Sequence, residues 1–246
     1  MLRIIRWAIP VVGMAMIIVL TTSGSGAQNA DCAPSHPPDP CNILPMLYSH
    51  SKIHAWPQCN RLRVDIFETT MRTSCPGCPG GLCVNCILHG YRENGFPAWN
   101  TPFHSLFNSD IFKEVEGKPF DVRVRMASKD QWQSDPLFEG HRTSSAITDN
   151  SRKDAQVPGC GTIASVSKTI TWLNGGWPWH LDSNLSGSAR QVAVHELGHA
   201  LALDDVSGES IQTIMDNKDF LTWTANPADG QGLACLYGPI RAHMCQ

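Results

Sequence analysis

The stretch from residue 189 to residue 203 restricts the fold more than any other part of this 246-residue chain. It contains no proline, and Ser186 or Ser188 can cap its first turn, so the pattern predicts a helix. Apolar residues at three- and four-residue spacing predict that one face of this helix is buried in a core. These apolar residues are Val194, Leu197 and Leu201. His195 and His199 are four residues apart, so they share a different face, one turn from each other.

The run His195-Glu196-Leu197-Gly198-His199 has the H-E-x-x-H spacing of zinc-binding helices. Two imidazoles one turn apart can both reach the same Zn²⁺ ion. Glu196 points off that axis, so its carboxylate can hold a water molecule beside the metal and accept its proton. The alternative is an ordinary helix that carries two histidines and a glutamate without a metal. The spacing favours a zinc site with Glu196 as the general base.

Three features, in order along the chain, resemble the metzincin clan of zinc metalloproteases. The run from His195 to Asp205 is similar to the clan's extended motif, H-E-x-x-H-x-x-G-x-x-H. Thr-Ile-Met-Asp at 213–216 resembles the Met-turn of that clan. The segment 228–238 ends in Leu-Tyr-Gly and resembles the last helix of matrixin-type catalytic domains.

This resemblance implies a fold, a metal and an activity. It covers residues 100–240 loosely and residues 189–238 with some specificity. It implies an α+β fold, in which a twisted, mixed but mostly parallel sheet packs against the zinc helix, followed by the Met-turn and a C-terminal helix. Glu196 would act as the general base of peptide-bond hydrolysis, and Met215 would form an apolar floor under the zinc ligands. Calcium is common in relatives, but no Asp-rich loop in this sequence requires it.

Two positions depart from the clan's motif. The glycine is replaced by Ala202, which costs on the order of 1 kcal/mol if the chain needs a left-handed residue there. The third histidine is replaced by Asp205, and a carboxylate oxygen is also a zinc ligand. Small secreted bacterial proteases of the snapalysin type are similar in having Asp there. Asp204 is a neighbouring alternative and His180 a remote one. The implied ligand set is His195, His199 and Asp205.

Residues 1–27 have the pattern of a secretory signal. Arg3 and Arg6 form a basic start, residues 7–20 are mostly apolar, and residues 25–27 are small enough for a signal peptidase. The alternative is a membrane anchor, but a spanning helix needs roughly 20 apolar residues, and a proline and a glycine interrupt this run. The sequence therefore predicts a secreted, extracellular protein without a stable membrane anchor after cleavage.

All ten cysteines follow that segment, and an even number in an exported chain favours disulfide bonds. Cys75, Cys78, Cys83 and Cys86 form two CxxC pairs, which can instead bind a structural zinc ion. Seven cysteines precede residue 100 and three follow it, so at least one disulfide joins the two groups if all ten are paired.

The hydrophobic pattern predicts only part of the secondary structure. Strands are predicted at 61–67, 120–126 and 163–172. After the cysteine cluster, a loop is predicted as far as Pro102, and residues 128–160 are polar and rich in turn-forming residues. We expect a Cys-rich N-terminal extension at 28–99 and a metzincin-like catalytic domain at 100–246.

The expected partner is a protein or peptide substrate. The chain has 19 Lys and Arg against 22 Asp and Glu and no basic run, which argues against a nucleic-acid partner. The predicted function is that of a secreted zinc endopeptidase. The alternative is a non-catalytic, disulfide-rich binding protein that retains a protease fold. Retention of Glu196 argues against that alternative, whereas Ala202 and Asp205 argue weakly for it. A third interpretation is a precursor whose N-terminal part blocks the cleft.

Overall fold

The computed structural model describes residues 48–49, 52–57, 59–74, 82–157, 161–181, 187–205, 213–216, 224 and 227–244. The predicted signal segment and six of the ten cysteines lie outside these residues, so secretion and the disulfide network stay predictions. Among the helices within these ranges, none combines the length and the apolar character that crossing a membrane requires.

The described residues form an α+β fold around a mixed sheet. Its strands are β1 (Tyr48–Ser49), β2 (Lys52–Ala55), β3 (Leu62–Ile66), β4 (Phe112–Val115), β5 (Val122–Ala127), β6 (Ala146–Val157) and β7 (Gly161–Asn174). Strand β7 pairs parallel with β2 near its start and with β5 further along, β5 pairs parallel with β3, and β3 with β4, while β1 and β6 pair antiparallel with β2 and β7. Because β2 and β5 occupy one side of β7 and β6 occupies the other, β6 forms an edge of the described sheet.

Most helices pack on one face of this sheet, whereas Trp132 of the fourth helix forms a separate buried cluster with Phe138 and the β7 residue Trp172. The α-helices are α1 (Glu68–Ser74), α2 (Leu82–His89), α3 (Phe96–Phe107), α4 (Lys129–Ser134), α5 (Ala189–Ala200) and α6 (Pro227–Met244). A π-helical turn, Gly90–Gly95, joins α2 directly to α3. Helix α5 packs against this turn and against β6 and β7, and buried side chains from all these elements form one continuous core.

The three predicted strands and the predicted helix are confirmed, with shifted ends. The strands correspond to β3, β5 and β7, and the helix corresponds to α5. Helix α5 ends at Ala200 rather than at residue 203, because the chain reverses in a tight turn directly after it. Helix α6 occupies the region of the expected last helix.

Two other predictions are wrong. The described residues of 128–157 include α4 and the long strand β6, in which Thr148 and Asn150 form hydrogen bonds within the fold. The expected loop ending at Pro102 is helical. Pro97 lies in the first turn of α3, directly after the π-helical turn.

The expected boundary at residue 99 does not coincide with a division of the core. Strand β3 pairs with β4 and β5, and β2 pairs with β7, so strands from before residue 100 lie within the sheet. Buried side chains of α2, the π-helical turn and α3 belong to the same core as those of α5. The described residues between 52 and 99 are therefore an integral part of this fold.

The opposite face of the sheet is partly covered by its own side chains. Cationic side chains and aromatic rings alternate across β7, β5 and the end of β3. The distances from each Arg Cζ or Lys Nζ atom to the neighbouring ring centroid are 3.8–5.8 Å. In order, this stack consists of Lys168, Phe120, Arg123, Phe67, Arg125 and Trp172. Such contacts stabilise by about 0.5–1 kcal/mol each at exposed sites.

Candidate metal centre

The first turn of α5 is fixed by a capping box. The Ser188 hydroxyl accepts the N–H of Gln191, and the Gln191 side chain accepts the N–H of Ser188. Two otherwise unpaired donors are thereby satisfied. The helix also lies very close to the π-helical turn, since a Cβ on Gly90 would be 2.4 Å from the Ala189 carbonyl oxygen. Position 90 must therefore remain glycine for α5 to keep this place.

The last turn of α5 folds back in a Schellman motif. Leu203 N–H donates to the Gly198 carbonyl, and Ala202 N–H donates to the His199 carbonyl. Ala202 has φ +66°, a left-handed conformation that favours glycine, and the motif that this run resembles has glycine at this position. This reversal returns the chain toward the helix, so that Asp205 comes to lie beside the two histidines.

The ligand atoms converge on one point. His195 Nε2 and His199 Nε2 are 3.0 Å apart, and Asp205 Oδ1 lies 3.0 Å from the first and 3.3 Å from the second. An ion bound tetrahedrally at about 2.0–2.1 Å requires ligand atoms about 3.3 Å from one another. The three side chains therefore fit a small ion with little movement, and together they could hold a metal.

Backbone carbonyls orient both imidazoles. His195 Nδ1 lies 3.0 Å from the Ile214 oxygen, and His199 Nδ1 lies 3.0 Å from the Leu203 oxygen. A carbonyl oxygen only accepts, so each Nδ1 carries the proton and donates it. In the neutral ring, Nε2 is then the nitrogen with the free electron pair, and it faces the metal position.

The turn at 213–216 supports the site from below. The buried Asp229 of α6 accepts hydrogen bonds from the Thr213 hydroxyl and the Ile214 N–H, which fixes the carbonyl that orients His195. Met215 is fully buried under α5. A Cβ on Gly198 would lie 2.2 Å from the Met215 sulfur, so the close approach of this turn requires glycine at position 198.

Buried side chains also satisfy the carbonyl groups at the end of α5. A helix leaves its last carbonyls without partners inside the helix, and burial makes that costly. Here the carbonyl groups of the last helical residues and of the cap accept hydrogen bonds from three side chains that are distant in sequence. The donor–acceptor pairs are Trp56 to Ala200, Asn150 to His199 and Tyr237 to Leu201.

Glu196 lies in the wall of a cleft of about 650 Å³ that also contains the three ligand side chains. Its side chain is 6% exposed, and Thr148 Oγ1 lies 2.6 Å from its Oε2 atom. The first residues of β6 line one side of the cleft, and Trp177 lines another. A buried carboxylate next to a metal position is suited to accept a proton from water.

The charges of the ligands are strongly coupled in the metal-free site. Burial alone would lower the pKa of His199, but its hydrogen bond to Asp205 and the negative charges of Glu196 and Asp205 raise that pKa to about 9. Burial would raise the pKa of Asp205, but hydrogen bonds from His195 and His199 hold it well below its usual value. At neutral pH the metal-free site therefore contains an ionised Asp205 and a protonated His199.

Metal binding at pH 7.5 is expected to release about one proton from His199. Its pKa of about 9 means that the ring is protonated at this pH, and a metal can bind Nε2 only after that proton leaves. Titration calorimetry with Zn²⁺ in two buffers of different ionisation enthalpy measures the release. A binding enthalpy that is the same in both buffers would contradict the charge state described above.

Ala202→Gly is expected to stabilise the metal-free protein by about 0.5–1 kcal/mol. Glycine relieves a left-handed strain of about 1–2 kcal/mol, and its extra freedom in the unfolded chain offsets part of that gain. Urea denaturation measures the change in the free energy of unfolding. Ala234→Gly, inside α6, is the matched control and should destabilise by about 1 kcal/mol. Equal destabilisation by both changes would show that Ala202 is not strained.

The structure separates the candidate ligands. Asp204 lines the cleft, but its carboxylate accepts the N–H of Asp205 and is not part of the convergent group. His180 is likewise not part of that group. Sequence reasoning missed Thr148, Asn150 and the structural role of Asp229. The hydroxyl and amide groups of the segment before Ser151 are the only signal that could have pointed to the first two.

Comparison of the chain with protein-family models and with curated proteins gives no match. The resemblance to metzincins therefore rests on the motif residues alone.

Proposed function

We propose that the protein is a secreted zinc-dependent endopeptidase of the metzincin clan, similar to matrixins, with a snapalysin-type aspartate among its ligands. The observation that carries this proposal is the convergence of His195 Nε2, His199 Nε2 and Asp205 Oδ1 beside the anchored carboxylate of Glu196. Two imidazoles and one carboxylate are a ligand set found in catalytic zinc sites, which keep a further position open for water or substrate.

The chain's own residues would perform most of the reaction. When bound, zinc supplies Lewis acidity, which makes water acidic enough to lose a proton near neutral pH. Glu196 would accept that proton while the water attacks the peptide carbonyl, and would then deliver it to the leaving nitrogen. The Nδ1 hydrogen bonds of His195 and His199 would keep both rings in place throughout.

The cleft supports an extended peptide as substrate. Strand β6 pairs only with β7 among the described residues, so its other edge can pair with a further strand where it lines the cleft. An extended peptide could add to this edge through main-chain hydrogen bonds, which would hold a scissile bond near the metal position.

A catalytic function accounts for the site better than the binding-protein alternative. A non-catalytic scaffold could use the two histidines and Asp205 as a structural metal site. It would not need a buried carboxylate in the cleft beside them, because burial of an ionised group is costly unless it is paired. Glu196 is retained and hydrogen-bonded, which supports the enzyme.

A peptide-library digest tests this proposal. The purified chain is freed of metal with a chelator, reloaded with Zn²⁺ and incubated with peptides of defined sequence, and the products are identified by mass spectrometry. Internal cleavage should require zinc, stop on renewed chelation and return when zinc is added. No cleavage by zinc-loaded protein, or cleavage that the chelator leaves unchanged, would overturn the proposal.

A further inference from the structure

Strands β6 and β7 present a ladder of polar side chains to the underside of α5. Thr148 lies opposite Thr171, and Asn150 lies opposite Thr169, so the four residues form two cross-strand pairs on one face. Both β7 threonines are fully buried. A sheet face that packs on a helix is normally apolar, because burying a hydroxyl costs free energy unless it is hydrogen-bonded. These four residues therefore require a specific explanation.

Both pairs form hydrogen bonds with the last part of α5, at Glu196 and His199. Asn150 donates to the His199 carbonyl at 2.9 Å and accepts from the Thr169 hydroxyl. Thr148 Oγ1 lies 2.6 Å from Glu196 Oε2 and 2.8 Å from Thr171 Oγ1. The pair of Asn150 and Thr169 fixes the helix backbone, whereas the pair of Thr148 and Thr171 reaches the Glu196 carboxylate.

The donor and the acceptor in the hydrogen bonds of Thr148 and Thr171 can be assigned from their chemistry. The Thr148 hydroxyl has a single proton, which it donates to Oε2 of Glu196. Thr148 can then only accept from Thr171, which must be the donor. The hydroxyls are thus ordered from Thr171 through Thr148 to Oε2, and this leaves Oε1 of Glu196 for a reactant.

We propose that Thr148 is a positioning residue, which with Thr171 holds Oε2 of Glu196 so that Oε1 is the oxygen that exchanges a proton with water. This proposal rests on the proposed peptidase function. Thr148 acts through Glu196 and does not take part in the proton exchange itself. A carboxylate without this anchor could rotate about its side-chain bonds and would spend less time aligned for the transfer.

The kinetic test compares variants at these two threonines. Thr148→Val keeps the shape but removes the donor, and should lower kcat about 10- to 100-fold with KM changed less than about twofold. Thr148→Ser should recover most of the loss, because it restores the hydroxyl. Thr171→Val should lower kcat less than Thr148→Val. Ser151→Ala, an exposed hydroxyl on the same strand, is the control and should leave kcat unchanged.

A second readout uses the metal-free protein and needs no activity. Thr148→Val should lower the melting temperature by about 3–8 °C when Glu196 is present, because a buried carboxylate loses its donor. In the Glu196→Ala background the same change should lower it by less than half as much. Equal shifts in both backgrounds would show that the hydroxyl does not support the carboxylate, and would overturn the proposal.

The two readouts separate failure of this proposal from failure of the proposed function. Unequal melting shifts with unchanged kcat in Thr148→Val would show a structural contact alone and overturn the positioning role. A folded, zinc-loaded wild type that cleaves no peptide would overturn the peptidase and the positioning role together, while the melting shifts would still report the contact.

Discussion

Glu196→Gln is expected to lower peptide cleavage by about 10²- to 10⁴-fold while leaving zinc binding intact. Glutamine has nearly the same shape, and its amide oxygen can still accept the hydroxyl of Thr148. It cannot take a proton from water at neutral pH, so only the base is lost. The measurements are kcat on a peptide substrate and the zinc content per chain.

The matched control for this change is Glu139→Gln, which makes the same substitution at an exposed position. It should leave both kcat and zinc content unchanged. Equal cleavage by Glu196→Gln and by the wild type would remove Glu196 from the mechanism. Loss of zinc together with activity would instead show that Glu196 is needed to form the metal site.

Asp205→Ala is expected to lower zinc affinity by roughly 10³-fold or more. Changes in groups that merely support a ligand already cost about 10- to 100-fold, and this change removes a ligand itself. The two imidazoles would remain with their backbone partners, but would leave the ion too few protein ligands. Competition with a chromogenic chelator measures the affinity.

Two neighbouring variants make this test specific. Asp204→Ala should lower zinc affinity no more than about tenfold, because Asp204 supports the Asp205 backbone but is not among the converging atoms. Asp205→His should retain zinc, since imidazole is also a zinc ligand. Full affinity in Asp205→Ala with loss in Asp204→Ala would move the ligand by one residue. Full affinity in both would place the third ligand elsewhere.

The sequence predicted the parts of this fold that follow a simple periodicity. Strand β5 alternates buried apolar residues with partly exposed arginines, and α5 combines a capping serine with an apolar face. The H-E-x-x-H spacing placed two histidines one turn apart, and the structure brings them together with Asp205 as the resemblance implied. These features depend on the spacing of residues within one helix or strand, which can be read from a single sequence.

The features that the sequence did not predict depend on tertiary contacts. Thr148 and Asn150 resemble solvated turn residues in a sequence, but in the fold they bind the side chain and backbone of α5. Gly90 resembles a loop residue, although it is needed where the π-helical turn approaches α5. Polar residues and glycines of this kind are interpretable only when their partners, which are distant in sequence, are known.

For a similar reason, the sequence did not show that the described residues between 52 and 99 belong to the same core. The cysteines around them favoured a separate extension, whereas Leu62 and Val64 are buried at the centre of the sheet between β4 and β5. Parallel strands need long connections, so a strand near the start of the chain can lie beside one far along it. No local pattern specifies that pairing.

A zinc K-edge X-ray absorption spectrum of the zinc-loaded protein identifies the ligand atoms directly. We expect two imidazole nitrogens and light-atom oxygen ligands at about 2.0–2.2 Å, with the oxygen contribution altered in Asp205→His. A shell of sulfur atoms at about 2.3 Å would instead place the ion on cysteines, and would contradict a zinc centre at His195, His199 and Asp205.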